Sequence, residues 1–166
     1  AGCASVGSRP TAAARPLALA TGMPRNIIHL VADGMGSGIL ASANQYSEYS
    51  RGRRMTWLAL VDRSTTRQAM MNVRSQNSLV TDSSASASAW GSGVRIPNGK
   101  VNQTSKGGKL VTLYELLGQA GWKRGLVTTT EITHATPSGF VACVNSRGSG
   151  EDIAAQLYER RIDVAL

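Results

Sequence analysis

The stretch SLVTDSSASASAWGSG, residues 78–93, decides how the chain is read. Leu79, Val80 and Thr81 have the character of a strand end and lead into Asp82 and Ser83. Only Ser and Ala follow from Ser84 to Ala89, before Trp90 and two glycines. A strand that passes through a polar pair into a helix is the joint of an α/β fold, where ligand sites lie at the carboxyl ends of strands. The small side chains let such a helix pack closely under a site. Ser83 then has two readings. It is the N-cap of a packed helix, or a nucleophile beside backbone N–H groups that suit an anion.

The segments on either side repeat the pattern. NIIHLVAD, residues 26–33, is a near-continuous apolar run of strand length, as expected of a strand buried on both faces of a parallel sheet. GMGSG follows, and a helix is expected from about Ser37 to Ser50. STTRQAMMNV, residues 64–73, could form a strand. KLVTLYELLGQAGW, residues 109–122, sets Leu110, Leu113, Leu116 and Leu117 on one helical face, with Gly118 and Gly121 at its end. KRGLVTTTE is a further buried strand, and GFVACVNSR a strand or a strand–helix joint. GEDIAAQLYERRID is a helix, with Glu151 and Asp152 in its first turn and Arg160 and Arg161 in its last, as the helix dipole favours. VAL opens another apolar segment. The order points to an α/β sandwich: three layers around a largely parallel central sheet, incomplete in this chain.

The chain has 166 residues and a net charge of +8, with 42% hydrophobic and 17% charged residues. That suits a globular domain. The basic residues are scattered, the tightest cluster being Arg51, Arg53 and Arg54, and the single Phe leaves no stacking platform for bases. Nucleic acid is therefore not the expected partner. Two cysteines, Cys3 and Cys143, form no close metal-ligand pair. The opening AGC resembles the end of a bacterial lipoprotein signal box, although a tripeptide also fits chance. If the resemblance holds, Cys3 carries a lipid anchor outside the cytoplasm, in the periplasm or at the cell surface. Residues 1–24 then read as a tether rich in Ala, Ser, Pro and Gly, and 25–166 as the ordered part.

Polar groups stand at three expected strand ends. Asp33 precedes Gly34 and Gly36 and is either a cation ligand or a cap of the next helix. Asp82 and Ser83 form the second group. The third is THATP, residues 133–137, with Arg147 shortly beyond. A serine needs a base or a metal to make it reactive. The only histidines are His29, inside an expected strand, and His134, so a Ser-His-Asp triad has poor support. Metal activation is the remaining route.

These stretches resemble the alkaline phosphatase family. VTDSSASAS fits its active-site pattern of Val or Ile, any residue, Asp-Ser, small residues and Thr, with Ser88 in place of the Thr. NIIHLVADGMG resembles its first metal-binding strand. HATPSGFVACVNSR resembles the segment with a magnesium ligand and a phosphate-binding arginine. The three come in the family's order and span about Arg25 to Leu166. The resemblance implies phosphate monoester hydrolysis through a phosphoserine on Ser83, with two zinc ions and one magnesium. It implies that Arg147 clamps phosphate, that Asp82 orients Arg147, and that Ser83 and Ser84 offer backbone N–H groups. Asp33, Ser83 and Thr136 would be metal ligands. His134 would be a weaker one, because the family has Asp or His there and His favours zinc over magnesium. A homodimer is the common family assembly.

Two zinc ions need about eight ligand positions, and this chain does not offer them. The expectation is therefore the N-terminal portion of a longer enzyme, inactive alone and partnered by the rest of the same catalytic domain. The alternatives are a related phosphodiesterase and a catalytically silent phosphate-binding lipoprotein.

Overall fold

A computed structural model describes residues 24–166, so the tether and Cys3 lie outside the described residues. The described residues divide into two compact units, Ile28–Asn72 and a second made of Val73–Leu166 with residues 24–27.

In the first unit, helix α1 runs Ser37–Arg51 and α2 runs Thr56–Val61. Gly36 stands at the N-cap of α1 and no side chain caps it, so Asp33 is not that helix's cap. Gly52, at φ 63°, ends α1 by donating its N–H to the Glu48 carbonyl. Two side chains join the helices. The Ser47 hydroxyl donates to the Arg53 carbonyl at 2.9 Å, and the Met55 N–H donates to Asn44 Oδ1 at 3.1 Å. Arg54 pairs with Asp62.

In the second unit, α3 is Ser83–Ser92, α4 is Leu113–Gln119 and β1 is Gly125–Leu126. Then come the one-turn α5, Ala135–Ser138, α6, Gly150–Glu159, and β2, Val164–Ala165. β1 and β2 pair in parallel, Gly125 opposite Val164 and Leu126 opposite Ala165. The pairing agrees with an α/β fold, since parallel strands need a crossover between them. Helix α6 lies in that connection and buries Ile153 and Leu157. They join Val101, Leu126, Phe140, Val141, Ala142 and Val144 in the apolar core, with Tyr114, Ile132 and Ile162 against it.

Several expected strands are not there. Residues 26–33, 64–73 and 79–81 are irregular backbone. A strand exists only with a ladder partner, and no ladder forms on these segments among the described residues. Their apolar side chains stay in solvent, Ile28 at 83% and Leu79 at 89% exposure. The 139–147 stretch contributes one antiparallel bridge, Val144 with Val101. Helix α4 is shorter than the expected 109–122, leaving Leu110 outside it; Leu113 and Leu116 are exposed, at 41% and 53%, and Leu117 is half-buried. What fixes α4 is its capping box: Thr112 accepts from the Glu115 N–H, and Glu115 accepts from the Thr112 N–H. Helix α6 ends at Glu159, four residues short of the expected Asp163. Arg160 is its C-cap, and Arg161 turns left-handed at φ 50°, so neither lies in the last turn.

Candidate active site

The site is built around the N-terminus of α3. Asp82, not Ser83, is the N-cap, and its Oδ1 accepts the Ala85 N–H at 2.8 Å. Ser83 is the first residue of the helix and half-buried. The helix N-terminus presents backbone N–H groups and the positive end of the dipole, which favours an anion there.

Asp82 is crowded with donors. The buried Ser84 hydroxyl lies 2.8 Å from both carboxylate oxygens. The Gly99 N–H donates to Oδ2 at 2.8 Å, and Arg147 Nη1 reaches the same oxygen at 3.3 Å. Burial pushes the Asp82 carboxyl up, yet the Ala85 and Gly99 N–H groups, the Ser84 hydroxyl and Arg147 outweigh it and hold it below its ordinary value. A carboxylate stabilised in this way is a poor proton acceptor. It lies against Arg147, whose guanidinium is a planar fork of donors.

Arg147 is fixed from several sides. Its N–H donates to the Gly99 carbonyl at 2.7 Å. Its Nη2 lies 3.4 Å from His134 Nε2. His134 is the N-cap of α5, and its Nδ1 accepts the Thr136 N–H at 3.4 Å. The structure therefore brings Asp82, Ser83, Ser84, His134, Thr136 and Arg147 into one region. Asp33 belongs to the other unit, where it sits in a turn with Gly34 at φ 73°.

Sequence reasoning missed Asn98 and Gly99. Asn98 Oδ1 accepts the Asp82 N–H at 3.0 Å, while its Nδ2 donates to the Val80 carbonyl at 2.9 Å. Gly99, at φ 82°, serves Asp82 with its N–H and Arg147 with its carbonyl. The signal was the Asn-Gly pair, a turn marker. Nothing in it says that the turn faces a carboxylate.

The small residues of α3 have a physical cause. A Cβ on Gly91 would stand 2.0 Å from the Gly139 carbonyl oxygen, and one on Gly139 would stand 2.5 Å from Ala87 Cβ. Helix α3 thus touches the α5 turn backbone to backbone, which brings the two polar groups of the site close.

Comparison with known proteins identifies the family. The model of the alkaline phosphatase family matches residues 24–164. Streptomycin-6-phosphate phosphatase of Streptomyces griseus is 37% identical over 162 residues, covering 86% of this chain and 36% of that protein. Alkaline phosphatase of Escherichia coli is 36% identical over 163 residues, covering 86% and 34%. The crystal structure of Thermus thermophilus alkaline phosphatase matches with a TM-score of 0.73 at 35% identity, covering 78% of this chain and 27% of that one. The chain belongs to the alkaline phosphatase family. It spans about a third of the length of these curated relatives.

Proposed function

We propose that this chain carries the nucleophile and phosphate clamp of a phosphate monoester hydrolase. The observation that supports this best is the Asp82–Arg147 pair beside Ser83 at the N-terminus of α3. In this reading the Ser83 hydroxyl oxygen attacks phosphorus, the alcohol leaves, and water then cleaves the phosphoserine. The Arg147 guanidinium offsets charge on the phosphate oxygens, and the first N–H groups of α3, at Ser83 and Ser84, add to the cradle. Little of this site would touch the alcohol, so substrates should be broad within phosphate monoesters.

The Ser83 hydroxyl must lose its proton, and Asp82 is loaded with donors, so it is no base for that step. Two zinc ions and one magnesium are proposed with the reading, with Asp33, Ser83, Thr136 and His134 as the donors this chain offers. These make only part of such a site. Among the described residues no group of three or more His, Cys, Asp or Glu could hold a metal ion. His134 Nδ1 already accepts the Thr136 N–H, and its Nε2 lies 3.4 Å from the Arg147 guanidinium. No step above therefore runs through a metal.

A three-layer sandwich, a homodimer and an extracytoplasmic location, lipid-anchored at Cys3, complete the proposal. The parallel β1–β2 pair supports the first. Among the described residues no helix is long and apolar enough to cross a membrane.

The test uses the protein that carries residues 1–166. Ser83→Ala should lower turnover of p-nitrophenyl phosphate by at least about a thousandfold, the scale seen when an essential nucleophile is removed. Activity within severalfold of the parent would show that Ser83 is not the nucleophile.

A further inference from the structure

Asn102 is fully buried, with its backbone left-handed at φ 45°. Its N–H donates to Ser88 Oγ at 2.9 Å, inside α3. Its side-chain amide donates to the Gly139 carbonyl at 2.8 Å and to the Ala142 carbonyl at 2.7 Å. Its own carbonyl accepts from the Leu110 N–H at 2.9 Å. One residue thus ties together the helix that begins at Ser83, the turn that begins at His134, and the approach to α4.

Chemistry fixes the direction of the amide. Two carbonyls can be served only by an NH₂ group. The remaining oxygen, Oδ1, is buried with no hydrogen-bond partner among the described residues. A buried acceptor left unpaired is costly, so the two donations must offset that cost. They are made to the turn that holds one side of the phosphate site. The Ser138 hydroxyl donates to the His134 carbonyl at 2.6 Å, and His134 stands 3.4 Å from Arg147.

We propose that Asn102 is a positioning residue: it fixes the 134–142 turn against α3, and so fixes the Arg147 guanidinium relative to Ser83. The proposal rests on the phosphatase reading above. It also explains Ser88, whose hydroxyl receives the Asn102 N–H.

Asn102→Gly and Asn102→Asp in the protein that carries this chain test it. Glycine suits the left-handed backbone, so the first variant keeps the main chain and loses only the amide. It should lower kcat/KM for p-nitrophenyl phosphate about tenfold and weaken inhibition by inorganic phosphate to a similar degree, the size of one or two hydrogen bonds. Backbone amides of residues 138–142 should exchange faster. The Asp variant sets acceptor against acceptor. Its loss should exceed that of Gly at alkaline pH, and the gap should narrow as the carboxyl becomes protonated and can donate. A lowered melting temperature with kcat/KM and phosphate inhibition unchanged would overturn the proposal. If the parent neither hydrolyses the ester nor binds phosphate, the phosphatase reading fails. Hydrogen exchange still judges the clamp: faster exchange at 138–142 supports it, and unchanged exchange overturns it.

Discussion

Asp82 shows how one side chain can serve as cap, anchor and electrostatic partner. Its Oδ1 ends a helix and its Oδ2 holds Arg147, while Ser84 bridges both oxygens. Asp82→Asn would place an NH₂ group among these donors and remove the charge facing Arg147. We expect kcat/KM for p-nitrophenyl phosphate to fall about a hundredfold, because charge-assisted hydrogen bonds are the strong ones. Ser84→Ala should cost only severalfold, since Ala85, Gly99 and Arg147 still hold the carboxylate. A larger loss in Ser84→Ala than in Asp82→Asn, measured by steady-state kinetics, would reverse this ranking. The family resemblance implied that Asp82 and Arg147 belong together, and their side chains do meet at 3.3 Å. The parts played by Asn98 and Gly99 were not legible. Asn98 bonds the main chain at Val80 and Asp82 and Gly99 acts through its own backbone, and an Asn-Gly pair marks a turn whatever it faces.

At the scale of elements, most helices were legible, though α2 was not foreseen, and the expected strands survive only at Gly125–Leu126 and Val164–Ala165 among the described residues. Helices α1, α4 and α6 close their own hydrogen bonds, and α4 adds a capping box, so local sequence is enough. A strand depends on a partner distant in sequence, and among the described residues Gly125–Leu126 and Val164–Ala165 form the one ladder longer than a single bridge. The contact of α3 with α5 invites a direct test. Gly91→Ala would drive a methyl into the Gly139 carbonyl, and it should destabilise the fold by about 1–3 kcal/mol or more in urea unfolding. The same change at Gly93 meets open space and only a left-handed φ of 74°, so it should cost about 1 kcal/mol. Helix α4 supplies a pH-dependent case. Burial pushes the Glu115 carboxyl up, but the Thr112 N–H, Arg160 and Lys109 outweigh it and hold it below its ordinary value of 4.5. Its folded value is therefore the lower one. Its contribution to stability is full above 4.5 and is lost as pH falls through the folded value. Glu115→Gln should cost about 1 kcal/mol at pH near 7, and the gap to the parent should close in acid, as followed by denaturant midpoints.

At the scale of the whole chain, the family membership rests on motifs that lie far apart in sequence. The core that supports them is small and centred on Val101, Val141 and Ile153. Ile28, Leu30, Leu79 and Val127 remain largely exposed. Residues 1–166 alone should therefore bind a hydrophobic dye strongly and show no phosphatase turnover with zinc and magnesium added. Robust turnover by that piece would refute the expectation. The contact between Gly91 and Gly139 carries a consequence for how such a site can change. A contact between side chains gives way by a rotamer shift, so neighbouring substitutions can adjust it in small steps. Here main-chain atoms meet, and main chain has no rotamers. The spacing between the serine's helix and the histidine's turn is thus closed to gradual tuning at these positions.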